Sequence, residues 1–274
     1  MAWLVTGGAG YIGAHVVRAL QRAGMDCVVL DDLSSGRATN LPAGVPFVRG
    51  GVEQLELVDK VVRGYRVTGC IHLAGTLMAG FSSERPLAAY DSITGGFRTL
   101  LTVLTAHRVD RVVYSSTAAV YGPPETSTVT EGAPTAPTTS YGRTKLIGEW
   151  MLQDLERATG LRHTSLRSVN VMGSATPAIA DVNPYHLLPR VFDDLRSGRV
   201  PHIHGADFPT PTAPRCATSC LPPTWPPRTW PPRGGSTRAS RWSPPTTSAP
   251  APAGRCAASW RRSPAPRASA SSPR

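Results

Sequence analysis

Apolar residues along the first two hundred positions arrive in short, nearly unbroken runs separated by longer amphipathic stretches. Met1-Ala2-Trp3-Leu4-Val5-Thr6 is the first run, followed by Asp26-Cys27-Val28-Val29-Leu30, Val45-Pro46-Phe47-Val48, Gly69-Cys70-Ile71-His72-Leu73-Ala74 and Val112-Val113-Tyr114-Ser115-Ser116. Runs of four to six residues that are largely apolar read as short strands. Between them, Ala14-His15-Val16-Val17-Arg18-Ala19-Leu20 carries Val16, Val17 and Leu20 at helical spacing, and stretches from Glu53 to Arg63 and from Phe97 to Ala106 also read as helices. Strands alternating with helices predict an α/β fold, a doubly wound parallel sheet. No apolar stretch approaches the ~18 residues of a membrane-spanning helix, and no signal peptide is recognisable.

The join between the first strand and the first helix is Gly7-Gly8-Ala9-Gly10-Tyr11-Ile12-Gly13. Glycines at positions 7, 10 and 13 permit a tight turn, close approach of a pyrophosphate and close packing of helix on strand. The helix N-terminus offers unpaired N–H groups and the positive end of its dipole to phosphates. The second strand leads into Asp31-Asp32, where a carboxylate accepts hydrogen bonds from an adenine ribose and repels a 2′-phosphate, favouring NAD over NADP. An isolated glycine turn is ordinary. Strand, loop, helix, strand and acid in this order point to a dinucleotide.

A second constellation is Thr117 with Ser140-Tyr141-Gly142-Arg143-Thr144-Lys145. Tyr141 and Lys145 are four apart, hence on one face of a helix. A lysine cation there is expected to draw the tyrosine below its ordinary value of about 10, towards proton exchange near neutral pH. Thr117, at the end of the fifth strand, is placed to hydrogen-bond the same substrate oxygen.

Composition changes abruptly at Pro211. From Thr212 onward there is no Val, Ile, Phe, Tyr, Met, Asn, Gln, His or Lys, and Leu221 is the only branched aliphatic residue. Ten arginines and no acid put +10 of the chain's formal +11 in this segment. Four Pro-Pro pairs exclude helices and interior strands, and such a composition cannot build a core. A disordered basic tail and an arginine-rich arm for nucleic acid both fit, the latter with Trp225, Trp230, Trp242 and Trp260 as stacking residues. Cys216 and Cys220 lack a second ligand pair, so no metal is expected. Cys27 and Cys70 lie in apolar strands and read as reduced core residues, in keeping with a cytoplasmic protein. His72, at a strand end, reads as packed rather than catalytic.

Taken together, residues 1 to about 211 resemble the extended short-chain dehydrogenase/reductases and, within them, the UDP-glucose 4-epimerase branch. The matching segments are Thr6 to Gly13, His72-Leu73-Ala74-Gly75, Tyr114 to Gly122, Ser140 to Lys145, Leu187-Leu188-Pro189 and Ile203 to Thr210. The resemblance implies a Rossmann-type NAD domain over 1–170, part of a substrate region over 171–211, and a small C-terminal substrate domain truncated or replaced by a disordered tail over 212–274. It implies C4 epimerisation of a UDP-sugar through a 4-keto intermediate, with Thr117, Tyr141 and Lys145 catalytic. Gly7, Gly10, Tyr11, Ile12, Gly13, Asp31, Asp32, Val52, Leu73, Ala74, Gly75, Ser115, Tyr141 and Lys145 are expected at the cofactor. Thr117, Tyr141, Asn170, His186 and Leu187 are expected at the substrate. Helices around Phe97 and Tyr141 form a homodimer interface in this superfamily. Ala118-Ala119 replace the Asp-Glu expected of a nucleotide-sugar 4,6-dehydratase. Gly50-Gly51-Val52, Leu77, Asp91-Ser92-Ile93-Thr94-Gly95-Gly96 and Arg167-Ser168-Val169-Asn170 depart from the family pattern and remove contacts worth on the order of 1 kcal/mol each.

The resemblance also gives a third reading of the tail. When the third base of each codon is joined to the first two of the next, Pro211 to Ser219 can spell Asp-Gly-Thr-x-Val-Arg-Asp-Phe-Val, and Thr224-Trp225-Pro226 can spell Asp-Leu-Ala at the family's spacing. A frameshift just before Thr212 fits these matches better than a selected basic arm. The remaining functional alternatives are another NAD-dependent sugar-modifying enzyme of the same fold and a non-catalytic NAD-binding or nucleic-acid-binding protein.

Overall fold

A computed structural model describes residues 1–75, 85–124, 129–184, 186–202 and 219–220. The stretch Thr76 to Gly80, the segment Ile203 to Thr210 and the tail from Thr212, apart from the backbone of residues 219 and 220, lie outside the described residues. The chain divides into two units, Met1–Pro227 and Arg228–Arg274, and every described residue belongs to the first.

The sheet is parallel and six-stranded. It comprises β1 (Ala2–Thr6), β2 (Cys27–Asp31), β3 (Phe47–Arg49), β4 (Val67–His72), β5 (Arg111–Thr117) and β6 (Arg162–Ser168), in the order β3-β2-β1-β4-β5-β6. Strand order reverses between β1 and β4, so a crevice opens beyond their C-terminal ends, where ligands of doubly wound sheets bind. The central strands are buried on both faces: Leu4, Val5, Val28, Val29 and Leu30 are fully inaccessible. One face packs Leu4, Val28, Leu30 and Tyr114 with Val58, Phe97, Leu100, Leu104 and Leu152. The other packs Val5, Cys27 and Val29 with Val17 and Leu20.

Helix α1 (Tyr11–Arg22) buries Gly13, Ala14, Val17 and Leu20, a stripe at helical spacing. Helix α2 (Leu55–Gly64) buries Val58, Val61 and Val62. A short α3 (Pro86–Ala89) runs through a π-turn (Tyr90–Gly95) into α4 (Gly96–Ala106). The longest helix, α5 (Ser140–Thr159), carries Tyr141 and Lys145 and ends at Gly160 with φ +75°. Beyond β6 come the two-residue strand β7 (Asn170–Val171), α6 (Leu187–Arg196) and β8 (Ser219–Cys220), which pairs with β7.

Strands and helices fall where the apolar pattern predicts, with shifts of up to two or three residues at their ends. Leu73 and Ala74 lie just beyond β4 rather than within it. The strand β6 is not visible in that pattern, because Arg162-His163-Thr164-Ser165-Leu166-Arg167-Ser168 is largely polar. It is an edge strand paired only with β5, and its half-exposed position does not require an apolar run. Among the described residues no helix is long and apolar enough to cross a membrane.

Candidate functional site

The glycine loop leaves β1 through Gly7, whose φ of +71° an L side chain adopts only with strain. Its missing side chain is also a matter of space. A Cβ on Gly7 would lie 2.7 Å from the Ala74 nitrogen, and one on Gly13 would lie 2.2 Å from the Gly7 carbonyl oxygen. Loop, helix and the end of β4 therefore close on one another only through glycine. A Cβ on Gly10 would meet nothing nearer than the Gly7 oxygen at 3.3 Å, so the space outside this turn is open to a ligand. Gly10 caps α1, and no side chain bonds the helix's first N–H groups among the described residues. Tight turn, open cradle and uncapped helix start fit a dinucleotide pyrophosphate.

Asp31 and Asp32 stand at the end of β2. The Asp31 carboxylate accepts from the Ala9 N–H at 2.9 Å and from the Leu33 N–H at 2.8 Å, so it also braces the loop from behind. Burial nonetheless raises its proton affinity, against the pull of these N–H groups. Asp32 is exposed and accepts from the Ser34 N–H and hydroxyl. Leu73 donates its N–H to the Thr6 carbonyl at 3.0 Å, and Ala74 abuts Gly7, so both line the crevice between β1 and β4. Gly75 is close to Lys145: a Cβ there would lie 3.6 Å from Nζ. Ile12 is 38% exposed at the start of α1. Val52 is buried among the core residues and packs on Gly96.

Tyr11 follows Gly10 at the start of α1. Its hydroxyl donates to the Gly173 carbonyl, and burial with the nearby Asp181 carboxylate pushes it up to about 12. With His15, whose Nε2 accepts from the Ala175 N–H at 3.2 Å, it ties α1 to the segment after β7.

Thr117, Tyr141 and Lys145 come together at the end of β5. The Thr117 hydroxyl accepts from the Ala119 N–H at 3.2 Å, capping a 3-10 turn over Ala118–Tyr121, and the same side chain holds down the proton affinity of Tyr141. Lys145 is buried and donates from Nζ to the Ser115 carbonyl at 2.9 Å, with Nζ 5.9 Å from the Tyr141 ring centre and 5.1 Å from that of Tyr114. Gly148 makes room for this packing: a Cβ there would strike the Tyr114 hydroxyl at 2.3 Å.

The expected lowering of Tyr141 by Lys145 does not hold. Burial dominates and pushes the phenol up to about 12, offset only in part by the Thr117 hydroxyl. Burial also brings the Lys145 ammonium down to about 8. Both groups have lost water, and the lysine's hydrogen bond goes to a backbone carbonyl rather than to the phenol.

His72 is a packed residue, as its position predicts. Its Nδ1 lies 2.7 Å from the Thr6 hydroxyl, and its ring stacks on Phe97 with centres 4.5 Å apart. Desolvation and the Lys145 charge keep it well below the ordinary histidine value. Of the expected substrate residues, Asn170 lies exposed on β7. His186 Nδ1 pairs with the Asp181 carboxylate at 2.6 Å, and Leu187, at the start of α6, is 66% exposed. No residue of α6 is buried among the described residues.

A buried polar group that the motifs do not single out adjoins the site. Glu149 on α5 is 2% exposed, is held by the Arg167 guanidinium and accepts from the Ser116 hydroxyl. Its only signal in the sequence is spacing, since Tyr141, Lys145 and Glu149 follow one another at four-residue steps.

Comparison with known proteins adds to this geometry. The family model described as "NAD dependent epimerase/dehydratase family" matches residues 3–207. The chain is 44% identical over 217 residues to a UDP-glucose 4-epimerase of Azospirillum brasilense, covering 76% of this chain and 61% of the relative. It is 38% identical over 212 residues to one of Streptomyces lividans, covering 76% and 64%. The chain thus spans somewhat under two thirds of the length of these curated relatives. Among solved structures, a UDP-glucose 4-epimerase superposes with a TM-score of 0.76 at 33% identity, covering 81% of this chain and 68% of that one. A UDP-glucose 4-epimerase from Bifidobacterium longum, crystallised with NAD+ and UDP, gives 0.75 at 28% identity, covering 81% and 70%. Sheet order, glycine loop and the match across residues 3–207 agree, and the chain belongs to the NAD dependent epimerase/dehydratase family.

Proposed function

We propose that the chain derives from an NAD-dependent C4 epimerase of a nucleotide sugar of the UDP-glucose/UDP-galactose type. The observation that carries this reading is the meeting of Thr117, Tyr141 and Lys145 at the mouth of the β1–β4 crevice, beside the glycine cradle. Gly7, Gly10, Gly13 and the start of α1 hold the pyrophosphate, Asp31 and Asp32 the adenine ribose, and Lys145 the nicotinamide ribose. NAD, when bound, supplies hydride acceptance and return together with a positive charge on its nicotinamide ring. Tyr141 takes the proton of the sugar 4-hydroxyl as C4 is oxidised to the ketone. It returns that proton once the sugar has presented its other face. Thr117 orients the 4-oxygen throughout. Burial favours the neutral phenol of Tyr141, so the tyrosine would have to give up its own proton to solvent before it could take the one on the sugar 4-hydroxyl. A dehydratase is disfavoured by Ala118-Ala119, which supply no acid for water elimination.

The substrate half is where this chain departs from its relatives. The family match ends at residue 207, four residues before the change in composition at Pro211. We propose that the reading frame shifts just before Thr212, so that most of the small C-terminal substrate domain is lost from this polypeptide. The chain as written then binds NAD but turns over UDP-sugars poorly or not at all. Sequencing the coding DNA across Gly205 to Gly235 tests this directly: codons that cannot spell Asp-Leu-Ala in the shifted frame end the idea. Feeding UDP-galactose and resolving the products by NMR tests the reaction. The 4-epimer from the frame-restored chain, abolished by Tyr141→Phe, supports epimerisation, and a reduced or decarboxylated sugar rejects it.

Two further readings belong here. The cytoplasmic location is supported by Cys27 and Cys70, both buried free thiols. A homodimer through α4 and α5 is supported by Trp150, 52% exposed on α5, beside a groove lined by Tyr90, Pro137, Arg143, Leu146 and Ile147.

A further inference from the structure

We infer that Glu149 is a positioning residue for the Thr117–Tyr141–Lys145 site: clamped by Arg167, its carboxylate grips Ser116 and so fixes the end of β5 against α5. The inference deepens the function proposed above and rests on it. Four-residue steps place Tyr141, Lys145 and Glu149 on one face of α5. A carboxylate 2% exposed is costly to bury alone. Here Arg167 meets it with two prongs, Nε to Oε1 at 3.0 Å and Nη2 to Oε2 at 2.7 Å, the bidentate geometry that compensates desolvation best.

The remaining capacity of the carboxylate goes to the catalytic strand. Ser116 donates its hydroxyl to Glu149 Oε1, and in the parallel register of β5 with β6 it is the direct partner of Arg167. Its two neighbours in sequence are the groups that hold the reacting side chains. The Ser115 carbonyl accepts from Lys145 Nζ at 2.9 Å, and the Thr117 side chain acts on the proton affinity of Tyr141. Arg167 secures the same region from the other side. Its Nη1 donates to the Tyr121 hydroxyl at 2.9 Å and its guanidinium lies 4.9 Å from the centre of that ring, steadying the 3-10 turn that Thr117 caps. A displacement of Ser116 therefore moves both the acceptor of Lys145 and the partner of Tyr141.

The test exploits the lysine content of the chain, which is Lys60 and Lys145 alone. Lysine labelled with 13C at Cε in the full-length, ligand-free chain gives two resonances, with Lys60 as internal reference. Lys145 is titrated in the unmodified chain, in Ser116→Ala, which cuts the link to β5 and keeps the ion pair, and in Glu149→Gln. A shift of the Lys145 titration by about half a unit or more, with Lys60 unmoved, is the expected result. An unmoved Lys145 in folded Ser116→Ala overturns the inference and leaves the ion pair a purely structural one. Should Glu149→Gln fail to fold, Ser116→Ala decides alone. The titration is made without ligand, so a chain that fails to bind NAD rejects the proposed function without touching this comparison.

Discussion

At the residue scale, the site's two titrating groups are displaced in opposite directions by one cause, burial. The unfolded chain holds the Lys145 proton up to about 10.5, whereas the folded chain releases it near about 8. Between these values the unfolded state binds more protons, so this group's contribution makes stability rise with pH. Tyr141 runs the other way: its folded value of about 12 lies above the ordinary 10.0, so its contribution falls as pH rises from 10 towards 12. Thermal unfolding of the chain against Lys145→Met checks the lysine. From pH 7 to 9.5 the unmodified chain is expected to gain about 2 kcal/mol relative to the variant; a constant difference rejects the buried ammonium. In the frame-restored chain Tyr141→Phe is expected to cut kcat by about 10²–10⁴-fold, as for loss of a general acid–base group. That Thr117, Tyr141 and Lys145 share one site was legible from spacing and resemblance. The direction of the tyrosine shift was not, because desolvation depends on packing that no spacing encodes. Glu149 was hidden for the same reason: a glutamate on a helix is usually a solvated face, and only Ser116 and Arg167 arriving from two strands make it a clamp.

At the scale of elements, helix α5 is held to β5 by a close approach that one glycine permits. A Cβ on Gly148 would fall 2.3 Å from the buried Tyr114 hydroxyl, which has no flexible end to swing away. Gly148→Val is therefore expected to destabilise the chain by about 1–3 kcal/mol, the usual cost of overpacking, measured by urea unfolding. An unchanged midpoint would show that α5 can ride outward. The buried strands β1, β2, β4 and β5 were legible because a strand covered on both faces must be apolar. Helix α1 announces itself through the glycine loop and its apolar stripe. Strand β6 was not legible, because an edge strand with polar alternation carries no such demand; its Arg167 serves Glu149 rather than the core. Tyr11 lies in the glycine loop motif, and its hydroxyl bond to the Gly173 carbonyl is a contact that the motif does not announce.

At the scale of the molecule, a cofactor-binding sheet is joined to a sequence of a different character. The glycine loop, Asp31, Asp32, Thr117, Tyr141 and Lys145 all precede Gly160, whereas α6 beyond them exposes Leu187, Phe192 and Leu195. Ending the chain at Pro211 is accordingly expected to leave NAD affinity within about two-fold. If the basic tail instead serves nucleic acid, the same deletion abolishes a salt-sensitive RNA or DNA binding that the full chain shows. The most direct test of the whole account is calorimetric titration of the 274-residue chain with NAD, beside a Gly10→Val variant. A Cβ on Gly10 would meet the Gly7 carbonyl oxygen at 3.3 Å, a tight contact that a small shift relieves, and would stand where the pyrophosphate is expected. Saturable one-to-one binding to the unmodified chain, abolished in a folded Gly10→Val, is the predicted result; no binding, or binding that the valine leaves intact, contradicts it.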